Sequence, residues 1–210
     1  MKSLLKMFCL SLLLVVSNAV AVSAQGGEDD AGGTAPSVVA AKQLGSSDPV
    51  MRQRAAEELA AIAATSQRRM LEGYRLQEKN ARVRLALDWA LYRVGKTSTL
   101  FELVRALDSS RAAQARAYLS TLETAEPLYL FLERANPATQ IELLRVFAKI
   151  GDAGTLDRLT PYVESADPEI STAARNAAQE IEQRLGQQPP PTDATTRPRQ
   201  VGTGEDETPN

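Results

Sequence analysis

The sequence predicts an all-α chain of about five stacked helical hairpins, and three observations carry that prediction. A helix-opening Asp or Asn recurs at Asp48, Asn80, Asp108, Asn136 and Asp167, with successive spacings of 32, 28, 28 and 31 residues. Behind each opening, apolar or small residues return in three columns. Seven places on stand Ala55, Leu87, Ala115, Leu143 and Ala174; eleven places on stand Leu59, Leu91, Leu119, Phe147 and Ala178; fourteen places on stand Ile62, Val94, Leu122, Ile150 and Ile181. At 100° per residue these columns fall within about 60° of one another, which makes a single buried stripe. Finally, alanine and leucine crowd the middle of the chain while aromatics are only 5%, a composition that favours helix.

Taken in order, the chain opens with Lys2 and Lys6 and an apolar run over residues 7–16. This reads as a signal peptide, with Val22-Ser23-Ala24 supplying the small residues of a cleavage site after Ala24. Ser11, Ser17 and Asn18 break the run below the roughly 20 apolar residues of a membrane span, so no stable membrane anchor is expected after cleavage. Nothing like a lipobox surrounds Cys9. Residues 25–34 are glycine-rich and acidic and read as a flexible spacer.

The repeat region is expected over residues 35–185. Ala35-Pro36 suits a first helical turn, and Val38, Val39 and Leu44 supply its apolar side. Thereafter a looser apolar helix alternates with a strongly patterned one. Asp48, Asn80, Asp108, Asn136 and Asp167 are the expected N-caps of the patterned helices, since each side chain can accept from a backbone N–H two or three residues on. Pro49, Pro137 and Pro168 follow three of them, where a missing N–H costs nothing. Gly95 and Gly151 suit a left-handed helix exit, and Pro161 should bend or shorten its helix. One hairpin cannot bury such a stripe alone, so neighbours must stack. Residues 186–210 carry three consecutive prolines and no periodicity, and read as a disordered tail.

Composition excludes several function classes. Lys plus Arg number 24 against 26 Asp plus Glu, a net charge of -2, so nucleic acid is not an expected partner. Removing Lys2 and Lys6 with the signal leaves 22 against 26, or -4. The chain has no histidine and its one cysteine lies in the signal, so zinc sites, a Cys/His pair and a Ser-His-Asp triad are not expected. Asp29-Asp30 and Glu205-Asp206-Glu207 read as solvated acidic segments, and Glu57-Glu58 as a helix exterior. The expectation is therefore no enzyme, no metal and no cofactor. An exported chain without disulfides must be held by packing alone, which fits a periplasmic or secreted protein.

Asp48-Pro49-x-x-Arg52, Asn80-x-x-x-Arg84, the Val94-Gly95 and Ile150-Gly151 endings and Asp167-Pro168-Glu169-Ile170 resemble HEAT-like repeats, most nearly the short bacterial type also found in phycobilisome lyases. The period is shorter than the ~40–47 residues of longer HEAT forms, and the third copy departs most, with Ser-Ser-Arg after Asp108 and no proline. The resemblance implies a right-handed α-solenoid presenting a curved surface to other macromolecules, with the second helix of each hairpin on the concave side. It also implies that Arg52 and Arg84 bond to neighbouring turns.

On that geometry the columns five, nine and twelve places after each cap form the inner wall. Most rows are small or polar, including Ala113, Ala117 and Ser120 in the third. The second row, Leu85, Trp89 and Tyr92, is large and apolar. With Ile141 and Arg145 it forms the candidate protein-binding patch, a composition typical of interface anchors. The competing placement has Trp89 packed under a neighbouring helix as core. The leading expectation is an exported, non-enzymatic scaffold or adaptor binding a protein or peptide partner. A glycan or small-ligand module using Trp89 and Tyr92 is the alternative, and a lyase-like accessory protein is the third reading.

Overall fold

The computed structural model describes residues 36–187. The expected signal peptide, its cleavage after Ala24, the acidic spacer and nearly all of the tail lie outside them. The described residues form ten α-helices and no strand. In chain order these are α1 (Pro36–Gln43), α2 (Pro49–Ala61), α3 (Arg68–Gln77), α4 (Ala81–Arg93), α5 (Leu100–Ala106), α6 (Ala112–Leu119), α7 (Tyr129–Arg134), α8 (Pro137–Ile150), α9 (Ala153–Val163) and α10 (Pro168–Gln187). The even-numbered helices pack in succession, α2 on α4, α4 on α6, α6 on α8 and α8 on α10, and each also packs on the odd-numbered helix before it.

Helix starts follow the side chains that satisfy orphan backbone donors. Asp48 accepts from the Val50 N–H at 2.9 Å. Asn80 accepts from Arg82 at 3.0 Å and Val83 at 3.2 Å, and Asn136 accepts from Thr139 at 2.9 Å. Asp167 accepts from Glu169 at 2.9 Å and Ile170 at 3.3 Å. Asp108 does not cap. The Ser109 hydroxyl donates to the Ala106 carbonyl and accepts from the Arg111 N–H, so α6 starts late, behind Arg111. Asp108 instead accepts from the Asn136 side chain at 2.9 Å, tying the third opening to the fourth. Asp152 and Thr155 form a reciprocal capping box at the start of α9.

Helix ends divide into two kinds. Gly95 takes the left-handed conformation expected of it, with φ 93°, and Ala63 occupies the matching position at φ 46°. In both, the next residue's N–H bonds to a carbonyl five residues back, Ala64 to Leu59 and Lys96 to Leu91. Gly151 does not follow this pattern. Its backbone is extended at φ −65°, and its missing side chain answers a steric demand, because a Cβ there would stand 2.6 Å from Ile181 Cδ1 and 2.7 Å from the Phe147 carbonyl oxygen. Pro161 lies in the last turn of α9, which runs on to Val163. Short 3-10 turns, Thr65–Gln67, Thr97–Thr99 and Glu126–Leu128, lead into α3, α5 and α7.

The core follows the stripe with definite exceptions. Ala55, Leu87, Ala115, Leu143 and Ala174 are all buried, as are Leu59, Leu91, Leu119 and Phe147. Ile62 is 49% exposed, since it sits past the end of α2 in the first repeat, where stacking neighbours exist on one side only. In α1 only Ala40 is buried, joined by Leu44 just past the helix end, and Val38 and Val39 face solvent. Helix α10 continues through Gly186 and Gln187, two residues past the expected end of the pattern.

Candidate binding groove

Helix α4 is enclosed on nearly every face, with Val83, Leu85, Ala86, Leu87, Asp88, Trp89, Ala90 and Leu91 all buried. It packs against α2, α3, α5 and α6, which accounts for an apolar content reaching round the helix. Leu85 is 1% exposed and Trp89 6%, so the anticipated apolar patch on α4 is core, with Tyr92 half-buried beside it. The Trp89 ring stacks on Tyr118 of α6 (centroids 5.7 Å apart, 4° between planes) and on Tyr92 (5.8 Å, 18°). The Arg93 guanidinium lies 5.6 Å from its centroid.

A polar clasp holds this stack closed. The Tyr118 hydroxyl donates to Glu57 Oε1 of α2 at 2.5 Å, and Gln53 donates to the same oxygen at 2.9 Å. Gln114 donates to the Tyr118 oxygen at 2.7 Å and to the Arg82 carbonyl at 3.1 Å. Side chains from α2 and α6 thus meet across α4, between residues 61 apart in sequence. Burial, reinforced by the Glu57 carboxylate, pushes the Tyr118 phenol well above its ordinary range. Tyr118 is the functional-looking residue that column reasoning missed. Its only sequence signal is its place next to the inner-wall residue Ala117.

The other two residues of the anticipated patch, Ile141 and Arg145, lie elsewhere. They line an open groove of about 1130 Å³ across α6, α8 and α10, which none of Leu85, Trp89 and Tyr92 reaches. Ala113 and Ala117 from α6 and Ser120 just past its end, Ile141, Arg145 and Ala148 from α8, and Thr172 and Asn176 from α10 all line it. These are residues five, nine and twelve places after their openings, and of the last three rows of the expected inner wall Gln179 alone does not line the groove. Small side chains make the groove shallow-walled and accessible to a neighbouring backbone.

Charges edge the groove in a fixed pattern. Glu142 bridges two guanidiniums, accepting from Arg116 at 2.6 Å on one oxygen and from Arg145 on the other. Lys149 pairs with Glu180 at 2.8 Å, joining α8 to α10. One carboxylate is thus shared between two arginines, while Glu169 on the α10 side of the groove makes no ion pair among the described residues. Arg145 is exposed and can turn toward an incoming acceptor.

Of the two arginines read as structural, Arg52 makes a bidentate pair with Glu78 (2.8 and 3.0 Å) and donates to the Ser46 and Ser47 carbonyls. Arg84 makes no ion pair among the described residues and lines a small polar cavity with Asp88. No protein-family model and no curated protein matches this chain.

Proposed function

We propose that the chain is an exported, non-enzymatic adaptor whose hairpins stack as a right-handed, HEAT-like α-solenoid, and whose α6–α8–α10 groove holds a segment of a protein partner. The order of Asp/Asn cap, patterned helix, left-handed exit and 3-10 entry, complete at α2 and again at α4, supports the HEAT-like reading. The observation that carries the functional reading is the groove itself, a trough of about 1130 Å³ floored by alanines and edged by charged side chains. Alanines let a partner backbone approach closely. The Arg116–Glu142–Arg145 bridge offers a guanidinium to a partner carboxylate, and charge-assisted bonds of this kind fix orientation.

A glycan or small-ligand reading calls for an aromatic platform. Trp89 is buried under Tyr118, and no aromatic side chain lines the groove. The protein-partner reading therefore leads.

The test is affinity capture from the native envelope fraction with the wild-type chain, Ala117→Trp and Arg145→Glu. Both positions are exposed, so circular dichroism should show unchanged folds. A partner held by wild type and lost by both variants supports the groove. Equal retention by all three removes the groove and keeps the adaptor, whereas capture of no protein brings the small-ligand reading forward. Export has its own check: chain recovered from the envelope should begin at Gln25, and chain found only in the cytoplasm with Met1-containing sequence intact would end that part of the proposal.

A further inference from the structure

Seven large apolar side chains among the described residues are exposed, and two of them, Phe101 (56%) on α5 and Leu130 (54%) on α7, line the same groove. This groove of about 580 Å³ is separate from the one above and is walled by Phe101, Leu130 and Phe131. Local sequence explains why apolar surface is left over. Residues 127–132 are apolar without interruption, and α7 and its 3-10 entry bury Leu132 and Leu128 while Tyr129 and Phe131 pack only partly against the core, so Leu130 is left facing out. Phe101 is the one exposed aromatic among the described residues.

The rim of the groove is cationic. Arg105, Arg111 and Arg134 line it, against a single carboxylate, Asp108, which is engaged by the Asn136 side chain. Arg111 and Arg134 pair with no carboxylate among the described residues, and Arg105 reaches Glu102 only at 3.8 Å. Arg105 and Arg111 also line an adjoining polar cavity of about 290 Å³, where Arg75 and Arg84 join them opposite Asp88 and Glu102. Asp88 is itself held by Arg75 at 2.6 Å. A chain with net charge -2 thus concentrates positive charge beside its exposed aromatic.

We propose that the α5–α7 groove is a second docking site, for an acidic peptide segment that carries an apolar side chain. The apolar side chain lies between Phe101 and Leu130, and flanking carboxylates meet Arg111 and Arg134. Planar guanidiniums suit that role because each can engage a carboxylate through two parallel bonds. The volume accepts a few side chains, and Phe101 and Leu130 face into a recess, which favours a peptide over a flat lipid surface. The inference is independent of the α6–α8–α10 groove, and both sites together would let the chain bridge two partners.

A random peptide library displayed on phage, selected on the purified full-length chain, tests this directly. The expected result is enrichment of peptides combining Asp or Glu with an aromatic or aliphatic residue. Their affinity, read by fluorescence anisotropy, should fall at least about tenfold in Arg111→Glu/Arg134→Glu, as loss of charge-assisted bonds predicts. It should fall also in Phe101→Ser and stay unchanged in Ala117→Trp. A Lys-for-Asp/Glu version of the selected peptide should recover binding to the double charge reversal, which separates the site from a folding defect. Enrichment without acidic residues, binding abolished by Ala117→Trp, or indifference to the Arg and Phe101 variants overturns the proposal. So does a chain that selects no peptide but binds phosphatidylglycerol vesicles, since that outcome assigns the surface to membranes.

Discussion

Ala63 and Gly95 show what one backbone torsion contributes. Both end a patterned helix in the left-handed region, where a Cβ is strained by roughly 1–2 kcal/mol and glycine is not. Ala63→Gly should therefore stabilise the chain by about 0.5 kcal/mol once glycine's extra unfolded-state entropy is subtracted, visible as a small rise in urea midpoint. Gly151 is the opposite case. Its conformation is open to any residue, but a methyl group there meets Phe147 and Ile181 at under 3 Å. Gly151→Ala should destabilise by about 1–3 kcal/mol, and an unchanged midpoint would mean that α8 and α10 pack less tightly than the structure has them. Neither distinction is visible from the letter G. Gly95 and Gly151 hold the same place in their repeats, and only their backbone torsions and the packing around them tell them apart.

At the scale of elements, the connection between α3 and α4 is fastened by an ion pair to the preceding repeat. Glu78, 7% exposed at its side chain, takes two bonds from Arg52 and one from the Asn80 N–H that precedes α4. The Arg52 bond, opposed by burial, holds its carboxyl below the ordinary 4.5. A carboxylate whose folded pKa is depressed stabilises fully above its unfolded value, and the contribution is lost as pH falls through the folded value. Acid unfolding should therefore steepen below about pH 4.5, and Glu78→Gln should flatten that limb while lowering stability at pH 7. A variant with an unaltered acid limb would show the pair to be marginal, as exposed ion pairs are. The caps of α2, α4, α8 and α10 were legible in sequence because capping is local, reaching two or three residues. Asp108, in the copy whose sequence departs most, is not a cap, because Ser109 offers the backbone a competing turn.

At the scale of the molecule, α2 and α6 close over α4 through Glu57 and Tyr118, and Trp89 becomes part of the core. Trp89→Ala should cost about 3–5 kcal/mol, as large aromatic truncations in cores do, and wild-type tryptophan emission should be blue-shifted and poorly quenched by iodide. Red-shifted, freely quenched emission with a mild Trp89→Ala phenotype would return Trp89 to the surface. The sequence by itself determined the all-helical class, the recurrence of caps and most of the buried stripe, because these rest on interactions within one helix and on a 3.6-residue period. It also determined which residues of α6, α8 and α10 would share a face. Which of those faces stays open was decided only by tertiary structure. Helix periodicity places a side chain on a side of its own helix, but exposure depends on what neighbouring helices bring to that side. Over α4 they bring Tyr118 and Glu57. Along α6, α8 and α10 they bring alanines, and the surface stays open.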